Sequence, residues 1–326
     1  MGFGNSKQLL GAIAGILLFC MHTPASADDL CAPSEATDPQ PLHINGANPY
    51  IYKTIGNIDL RLHVFSPAGH KPSDKSPAVV FFVGGGFIFG DIRRYQTQAT
   101  HLALRGLVTV LADYRVKCRH GSTVMDSVTD ARSAIRWVRG HADELGVDPS
   151  RIAAAGSSAG GLMAADAALV SEFDDPTDMK VDGRPNALVL YNPGLDTGSP
   201  DAIQRLTTNW GKAVADHGRD LSPIDHLDRG LPPTIIFQGL ADKGVSPATA
   251  QDFCVRARAL KAQCEVVLYP GAPHGFTEVW LGLGDASLGM NTELWAADTS
   301  RRTDAFLTKL GWLPPDHEVM APPLVR

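Results

Sequence analysis

The stretch Ile152-Ala-Ala-Ala-Gly-Ser-Ser-Ala-Gly-Gly161 joins a short apolar run to a segment of good helix formers through a glycine-serine turn. It contains the pattern G-x-S-x-G, with Ser158 between Gly156 and Gly160. Between a strand and a helix this pattern forms a tight elbow, in which only glycine fits on either side of the serine. The elbow lifts the serine hydroxyl above the sheet edge, at the positive end of the following helix. Ser158 is therefore the predicted nucleophile.

Outward from this elbow, apolar runs alternate with helical patterns along most of the chain. A pair of strands is predicted over 51–65, with a turn at Gly56-Asn57. Further strands are predicted from runs that are apolar at nearly every position, at 78–83, 107–112, 152–155, 187–191, 234–237 and 266–269. Helical patterns cover 95–105, 124–142, 159–170, 247–262 and 292–310. We expect an α/β fold with a mostly parallel central sheet and helices on both faces.

The domain organisation follows from the same alternation. A chain of 326 residues suggests two domains if a typical domain has about 150 residues. No linker, repeat or low-complexity tract divides the series of strands and helices, so residues 28–326 are predicted to form a single domain. Proline and glycine are frequent only in 196–231, where the helical pattern is weak. This segment is predicted to be a small lid inserted between two strands.

The overall composition excludes several classes of protein. Hydrophobic residues make up 44% and charged residues 20%, which allows a large core and excludes a disordered or collagen-like chain. The net charge is −6 and no block of like charges occurs. We therefore expect neither a nucleic acid nor an anionic membrane as a partner.

The first 27 residues have the pattern of a secretory signal peptide. Lys7 precedes a short apolar run, and the small residues Ala25 and Ala27 suit cleavage after position 27. No later segment is apolar enough to anchor the chain in a membrane, so we expect a secreted or periplasmic protein.

Four cysteines remain after the predicted cleavage, and an oxidising compartment would permit disulfides among them. Cys254 and Cys264 flank a predicted helix-to-strand junction, where a short local bridge fits. Cys31 and Cys118 would then form the second bridge, and buried thiols are the alternative. No cysteine or histidine cluster has the spacing of zinc ligands, so no metal is expected.

Three consecutive glycines, Gly84 to Gly86, follow the predicted strand at 78–83. Glycines at the carboxyl end of a strand allow backbone N–H groups to turn toward a ligand, as in the oxyanion hole of acyl-transfer enzymes. We predict Gly85 and Gly86 as two such donors and the N–H of Ala159 as the third. The alternatives are a flexible loop or a phosphate cradle, but the G-x-G-x-x-G spacing of a dinucleotide site is lacking.

A histidine and an aspartate complete the constellation. His274 follows the last predicted strand and is the candidate general base for Ser158. Asp242 follows the strand at 234–237 and would orient the histidine, with Asp196 as the alternative acid. The chain order Ser, Asp, His is the order found with the G-x-S-x-G elbow. All these residues come at carboxyl ends of predicted strands, where open α/β sheets bind ligands.

The chain resembles the α/β-hydrolase superfamily, in particular its branch of acetyl-esterases and hormone-sensitive-lipase-like carboxylesterases. The resemblance covers about residues 50–310 and lies in Gly84-Gly-Gly-Phe-Ile-Phe-Gly90, Asp113-Tyr-Arg115, Asp148-Pro-Ser-Arg-Ile152, Gly156-Ser-Ser-Ala-Gly-Gly161, Gln238-Gly-Leu-Ala-Asp242 and Pro273-His-Gly-Phe276. It implies an α/β-hydrolase fold and hydrolysis of carboxylic esters without a metal or organic cofactor. It assigns Ser158, Asp242 and His274 to the triad, and the oxyanion hole to Gly85, Gly86 and Ala159.

Two departures from this family concern the loop at the three glycines. Val83 stands where the family usually has a histidine that helps to hold the loop. After Arg115, the residues Val-Lys-Cys-Arg replace the family's Leu-Ala-Pro-Glu, so the neighbouring loop is expected to differ. The segment before the first strand is also short for the helical cap of many lipase-like members, which favours an open site.

The function expected from this resemblance is that of a secreted serine carboxylesterase acting on short-chain acyl esters. By analogy with secreted relatives, acetyl or feruloyl groups on carbohydrates are expected substrates alongside small-molecule esters. Two alternatives keep the fold: a serine peptidase similar to prolyl oligopeptidase, and a binding protein without catalysis. The sequence leaves the oligomeric state open.

Overall fold

The computed structural model describes residue 31 and the segments 39–178, 180–277 and 290–315. The predicted signal peptide, residues 1–27, lies outside the described residues, so its assignment stays a prediction. In the described segments, no helix is both long and apolar enough to cross a bilayer.

Eight strands form one sheet: β1 Asn48–Ile55, β2 Ile58–Phe65, β3 Ser76–Phe82, β4 Val108–Ala112, β5 Val147–Ser157, β6 Ala187–Tyr191, β7 Thr234–Gly239 and β8 Cys264–Tyr269. Their order in the sheet is β1-β2-β4-β3-β5-β6-β7-β8. β1 pairs with β2 and β2 with β4 in antiparallel fashion, whereas every other neighbouring pair is parallel. The predicted α/β fold with a mostly parallel sheet is confirmed, and all predicted strands are present.

The middle of the sheet is covered on both faces. In β3, Val80 pairs with Val110 of β4 and with Ala154 of β5. Every residue of β3 after Ser76 is buried. Since successive side chains of a strand point to opposite faces, burial at every position requires helices on both sides. This explains why the central runs are apolar throughout rather than alternating.

The helices pack on this sheet and begin or end close to the predicted positions. The helix that starts at Val124 has a capping box, in which Asp126 accepts the backbone N–H of Thr123 at 2.8 Å. The predicted helices do not include the one-turn helices Lys117–His120, Ala142–Leu145 and Lys212–Ala215. The helices are α1 Gln96–Leu104, α2 Lys117–His120, α3 Val124–Gly140, α4 Ala142–Leu145, α5 Ser158–Leu169, α6 Pro200–Trp210, α7 Lys212–Ala215, α8 Pro247–Ala259 and α9 Met290–Lys309.

The segment 196–231 lies between β6 and β7 and contains α6, α7 and a 3-10 helix over Pro223–Arg229. α6 starts with a proline in its first turn, where the missing N–H costs nothing. The end of α6 contacts α2, since Lys117 Nζ donates to the carbonyl oxygen of Asn209 at 2.6 Å and lies 5.1 Å from the Trp210 ring centre. The role of this segment as a lid stays a prediction.

The four cysteines expected in the mature chain form two pairs. Cys31 is joined to Cys118 with their Cα atoms 5.3 Å apart, and Cys254 to Cys264 at 5.2 Å. The first pair attaches α2 to the segment before β1, and the second attaches α8 to the start of β8. These pairs follow the local-bridge option rather than that of buried thiols.

Candidate active site

The turn from β5 into α5 holds Ser158 in a conformation that side chains rarely adopt, with φ of +51°. A Cβ atom on Gly160 would overlap the carbonyl oxygen of Phe82, and one on Gly156 would lie 2.7 Å from the same oxygen. The glycines on both sides are therefore required because the end of β3 packs directly against the elbow. This is the mechanical reason for the G-x-S-x-G pattern, and it leaves Ser158 half-buried at the sheet edge.

The structure brings Ser158, His274 and Asp242 together in one hydrogen-bonded chain. His274 Nε2 lies 2.9 Å from Ser158 Oγ, and His274 Nδ1 lies 2.9 Å from Asp242 Oδ2. A carboxylate only accepts hydrogen bonds, so Nδ1 donates to Asp242 and Nε2 accepts from the serine hydroxyl. The three residues meet because they follow the parallel strands β5, β7 and β8, whose carboxyl ends share one edge.

Asp242 is buried but remains a carboxylate. Burial raises its pKa, and hydrogen bonds from His274, the Val245 N–H and Gln238 lower it, so that the pKa lies below its usual value. The N–H groups of Gly244 and Val245 donate to Oδ1 at 2.7 and 2.9 Å. The site therefore keeps a negative charge beside the imidazole at neutral pH.

Gln238 is a residue of the site that the sequence reasoning missed. It is fully buried, and its Nε2 donates to Asp242 Oδ2 at 2.9 Å, the same oxygen that His274 contacts. The sequence feature that could have identified it is a polar side chain directly after the apolar residues 235–237 of strand β7. A buried amide in such a strand indicates a specific hydrogen-bond partner.

The alternative acid, Asp196, has another role in the described structure. Its Oδ1 accepts the N–H groups of Gly198 and Ser199 at 3.1 and 2.8 Å, just before α6. Asp242, rather than Asp196, lies against His274. Within the described segments, no group of three or more His, Cys, Asp or Glu side chains could hold a metal ion.

The loop after β3 carries the two predicted oxyanion donors. Gly85 and Gly86 have φ values of +138° and +63°, and the Gly85 carbonyl accepts the N–H groups of Ile88 and Phe89. Among the described residues, the N–H groups of Gly85 and Gly86 donate to no backbone acceptor. Ala159 stands in the first turn of α5, where N–H groups have no partner within the helix. All three donors are thus available to a ligand oxygen, and their role stays a prediction.

Solved structures similar to this chain include esterase 2 of Thermogutta terrifontis phosphorylated by paraoxon. The two are 39% identical with a TM-score of 0.74, over 84% of this chain and 98% of that one. The same esterase with propionate bound is also 39% identical, with a TM-score of 0.74, over 83% of this chain and 97% of that one.

Two esterases of Mycobacterium tuberculosis are similar in sequence. Esterase LipC is 31% identical over 63% of this chain, and carboxylesterase NlhH is 37% identical over 59% of it. The chain spans 54% and 60% of the lengths of these two relatives.

A family model described as the alpha/beta hydrolase fold matches residues 79–278, which is more than half of the chain. The matched range contains the loop with Gly84 to Gly86, the serine elbow, Asp242 and His274. The family expected from the sequence is therefore confirmed: this chain belongs to the α/β-hydrolase fold family.

Proposed function

We propose that this protein is a serine carboxylesterase that hydrolyses short-chain acyl esters through an acyl-enzyme. The observation that carries the proposal is the chain of 2.9 Å contacts from Ser158 Oγ through His274 to Asp242, with Ser158 in a strained elbow. The names of the similar proteins, all esterases, support the same reaction class.

In the proposed mechanism, Ser158 Oγ attacks the ester carbonyl carbon while its proton passes to His274 Nε2. The carbonyl electron pair moves to oxygen, and this oxyanion accepts hydrogen bonds from the N–H groups of Gly85, Gly86 and Ala159. The intermediate collapses to the acyl-enzyme as the alcohol oxygen leaves with the proton from His274. A water molecule then repeats the sequence and releases the acid. Asp242 stabilises the imidazolium in both halves.

The test is the variant Ser158→Ala with p-nitrophenyl acetate as substrate. We expect kcat to fall by at least about 10⁴-fold, because no other group supplies the nucleophile. Ser157→Ala is the matched control, since this neighbouring serine is buried and it is Ser158 Oγ that lies 2.9 Å from His274 Nε2. Turnover at the wild-type rate by folded Ser158→Ala protein would overturn the proposal.

Covalent labelling gives a second, independent readout. Paraoxon phosphorylates the similar esterase of Thermogutta terrifontis, as its structure records. If Ser158 is the nucleophile, paraoxon should release a stoichiometric amount of p-nitrophenol and add a diethylphosphoryl group to Ser158. Peptide mass spectrometry of wild type and Ser158→Ala locates the adduct. An adduct at another serine would contradict the assignment.

We propose small acyl groups as the substrate class, including acetyl or feruloyl groups on carbohydrates. The propionate bound by the similar esterase supports a short acyl site, and the carbohydrate acceptor rests on analogy alone. A panel of p-nitrophenyl acetate, butyrate, octanoate and laurate, together with acetylated xylan and a feruloylated oligosaccharide, tests both parts. A maximum kcat/KM for laurate would contradict the short acyl site.

We also propose that the protein acts outside the cytoplasm. The signal-like pattern of residues 1–27 and the two cysteine pairs support this proposal, since disulfides persist in oxidising compartments. N-terminal sequencing of the chain recovered from the periplasm or medium of a bacterial host tests it. The expected mature chain starts at Asp28, and a cytoplasmic chain that keeps Met1 would contradict it.

A further inference from the structure

The loop of residues 83–90, here called the glycine loop, carries the two predicted oxyanion donors in a strained backbone conformation. Besides Gly85 and Gly86, Phe87 also has a positive φ, of +64°. A non-glycine residue in this region costs about 1 kcal/mol or more and persists only when its surroundings impose it. The side chain of Val83, at the start of the loop, is aliphatic and offers no hydrogen bond. Within the loop, the Gly85 carbonyl accepts the N–H groups of Ile88 and Phe89. Further hydrogen bonds come from outside the loop.

Some of these hydrogen bonds come from α2, whose residues contact successive carbonyl groups of the glycine loop. The N–H of Lys117 donates to the carbonyl of Phe87 at 2.9 Å, and the N–H of Cys118 to that of Ile88 at 3.0 Å. These N–H groups lie in the first turn of α2 and have no acceptor within the helix.

Two further side chains hold the ends of the glycine loop. Arg119 Nη1 donates to the carbonyl of Gly90 at 2.8 Å. At the other end, Tyr114 Oη donates to the carbonyl of Val83 at 2.6 Å. Residues 114–119 thus contact the glycine loop at both ends and at its middle, and Gln40 Nε2 also donates to the Gly90 carbonyl at 2.5 Å.

The helix α2 itself is a single turn of four residues, which is too short to be stable by its own hydrogen bonds. Its anchors include the disulfide from Cys118 to Cys31 and the ion pair of Arg119 with Asp113 at 3.7 Å. The Lys117 side chain is a further anchor through its contacts with the end of α6. Both cysteines are only partly buried, so burial of their side chains contributes little to holding α2. The disulfide is the only covalent anchor that the described residues provide for this helix.

We propose that the Cys31–Cys118 disulfide positions the oxyanion donors, by fixing α2 and through it the carbonyl groups of the glycine loop. The proposal rests on the proposed function, because it assigns Cys31, Cys118 and Lys117 as positioning residues for the same acyl transfer. Oxyanion contacts form mainly in the transition state, so a loosened loop lowers kcat and leaves KM nearly unchanged.

The second disulfide provides a matched control. Cys254–Cys264 joins α8 to the first residue of β8, at the amino end of the strand, opposite to the edge that carries the candidate site. Both of its cysteines are buried. Its loss removes a crosslink without releasing the glycine loop.

The experiment compares the double variants Cys31→Ser/Cys118→Ser and Cys254→Ser/Cys264→Ser, with p-nitrophenyl acetate as substrate. Rates are divided by the concentration of sites titrated with paraoxon, so that unfolded protein does not count. For the first variant we expect kcat per site to fall about 10-fold, with KM within about twofold of wild type. For the second we expect an unchanged kcat per site and a lower melting temperature. An unchanged kcat per site in the first variant would overturn the proposal.

A second pair of variants tests the contact between α2 and the glycine loop with the disulfide intact, and it can overturn the proposal even if the cysteine variant fails to fold. Lys117→Pro removes the N–H that contacts Phe87, at the first helical position where proline is tolerated. The preceding Val116 is extended, as proline requires. Lys117→Ala loses the same side chain but keeps the N–H. We expect kcat of Lys117→Pro to be about fivefold below that of Lys117→Ala, and equal values would overturn the proposal.

Failure of the proposed function would look different from failure of this inference. If the chain is not an esterase, wild type and all four variants lack turnover and paraoxon leaves Ser158 unmodified. If only the positioning role is wrong, wild type and both cysteine variants turn over the ester at the same rate per site.

Discussion

Asp242 and Asp166 are both buried aspartates, but their carboxyl groups differ completely in hydrogen bonding. Asp242, after β7, has both carboxylate oxygens paired with donors. Asp166, inside α5, is fully buried, and neither of its oxygens has a hydrogen-bond partner among the described residues.

The pKa values of the two carboxyl groups move in opposite directions. Burial raises the pKa of Asp166 well above its usual value, although Arg132 opposes the shift. In Asp242, burial also raises the pKa, but the donors outweigh it and the net shift is downward. Burial alone therefore does not decide the charge of a carboxyl group; preorganised donors do. Of these two carboxyl groups, the one that keeps its charge is the one that the proposed reaction uses.

The largest effect is expected from Asp242→Asn, which removes the paired charge and keeps the shape. The amide cannot stabilise the imidazolium and favours the wrong tautomer of His274, so we expect kcat/KM to fall by about 10³- to 10⁴-fold. Steady-state kinetics with p-nitrophenyl acetate measures this fall. Asp196→Asn is the matched control and should keep kcat/KM within about threefold of wild type, because in the described segments the Asp196 carboxylate accepts backbone N–H groups of the next turn and lies away from His274. Equal losses in both variants would show that Asp242 has no special role.

The next effect concerns stability and comes from Asp166→Leu, which replaces two unpartnered oxygens by methyl groups. We expect the free energy of unfolding to rise by about 1–3 kcal/mol at about pH 8. The folded-state pKa of Asp166 is raised above its unfolded-state pKa. The stability that the protonated side chain contributes is therefore fully present below the unfolded-state pKa, and it is lost as the pH increases toward the folded-state pKa. The gain should therefore be smaller at about pH 5. Urea unfolding at both pH values measures it, and an equal gain at both would show that ionisation of Asp166 is not involved.

The smallest effect is expected from Gln238→Met, which removes one donor to Asp242 at nearly constant volume. A hydrogen bond to a charged group contributes about 1.5–3 kcal/mol, of which part is recovered by the remaining donors, so we expect kcat to fall about 10-fold. The pKa of the Asp242 carboxyl should rise, because one of the donors that lower it is lost. Steady-state kinetics measures kcat, and an NMR titration of the Asp242 carboxyl in both proteins records the change of its pKa. An unchanged kcat together with an unchanged pKa of Asp242 would mean that Gln238 serves packing alone.

The elbow and the order of the site residues could be predicted because they depend on local patterns. Gly156 and Gly160 mark a turn that other side chains cannot form, and apolar runs at each position mark strands covered on both faces. Once the strands are parallel, residues that follow them share one edge, which brings Asp242 and His274 to Ser158. Asp196 also follows a strand, so this rule alone does not separate it from Asp242, and the structure places Asp242 against His274.

The support of these residues could not be predicted, because it depends on contacts between segments that are remote in the chain. The N–H of Lys117 meets the carbonyl of Phe87 only after β3 and β4 are paired. The departure from the family at Val83 and at Lys117 to Arg119 was visible in the sequence, but its consequence was not. No local pattern records which carbonyl groups a one-turn helix will contact.

The amino-acid sequence by itself determined the layers of the fold, the strained serine and the edge at which the acid and base would stand. These properties follow from hydrophobic periodicity and from backbone conformations that only certain residues adopt. Tertiary structure decided which carboxyl group keeps its charge and what holds the glycine loop. Both depend on hydrogen-bond donors from distant segments, whose distances and directions exist only once the sheet has formed.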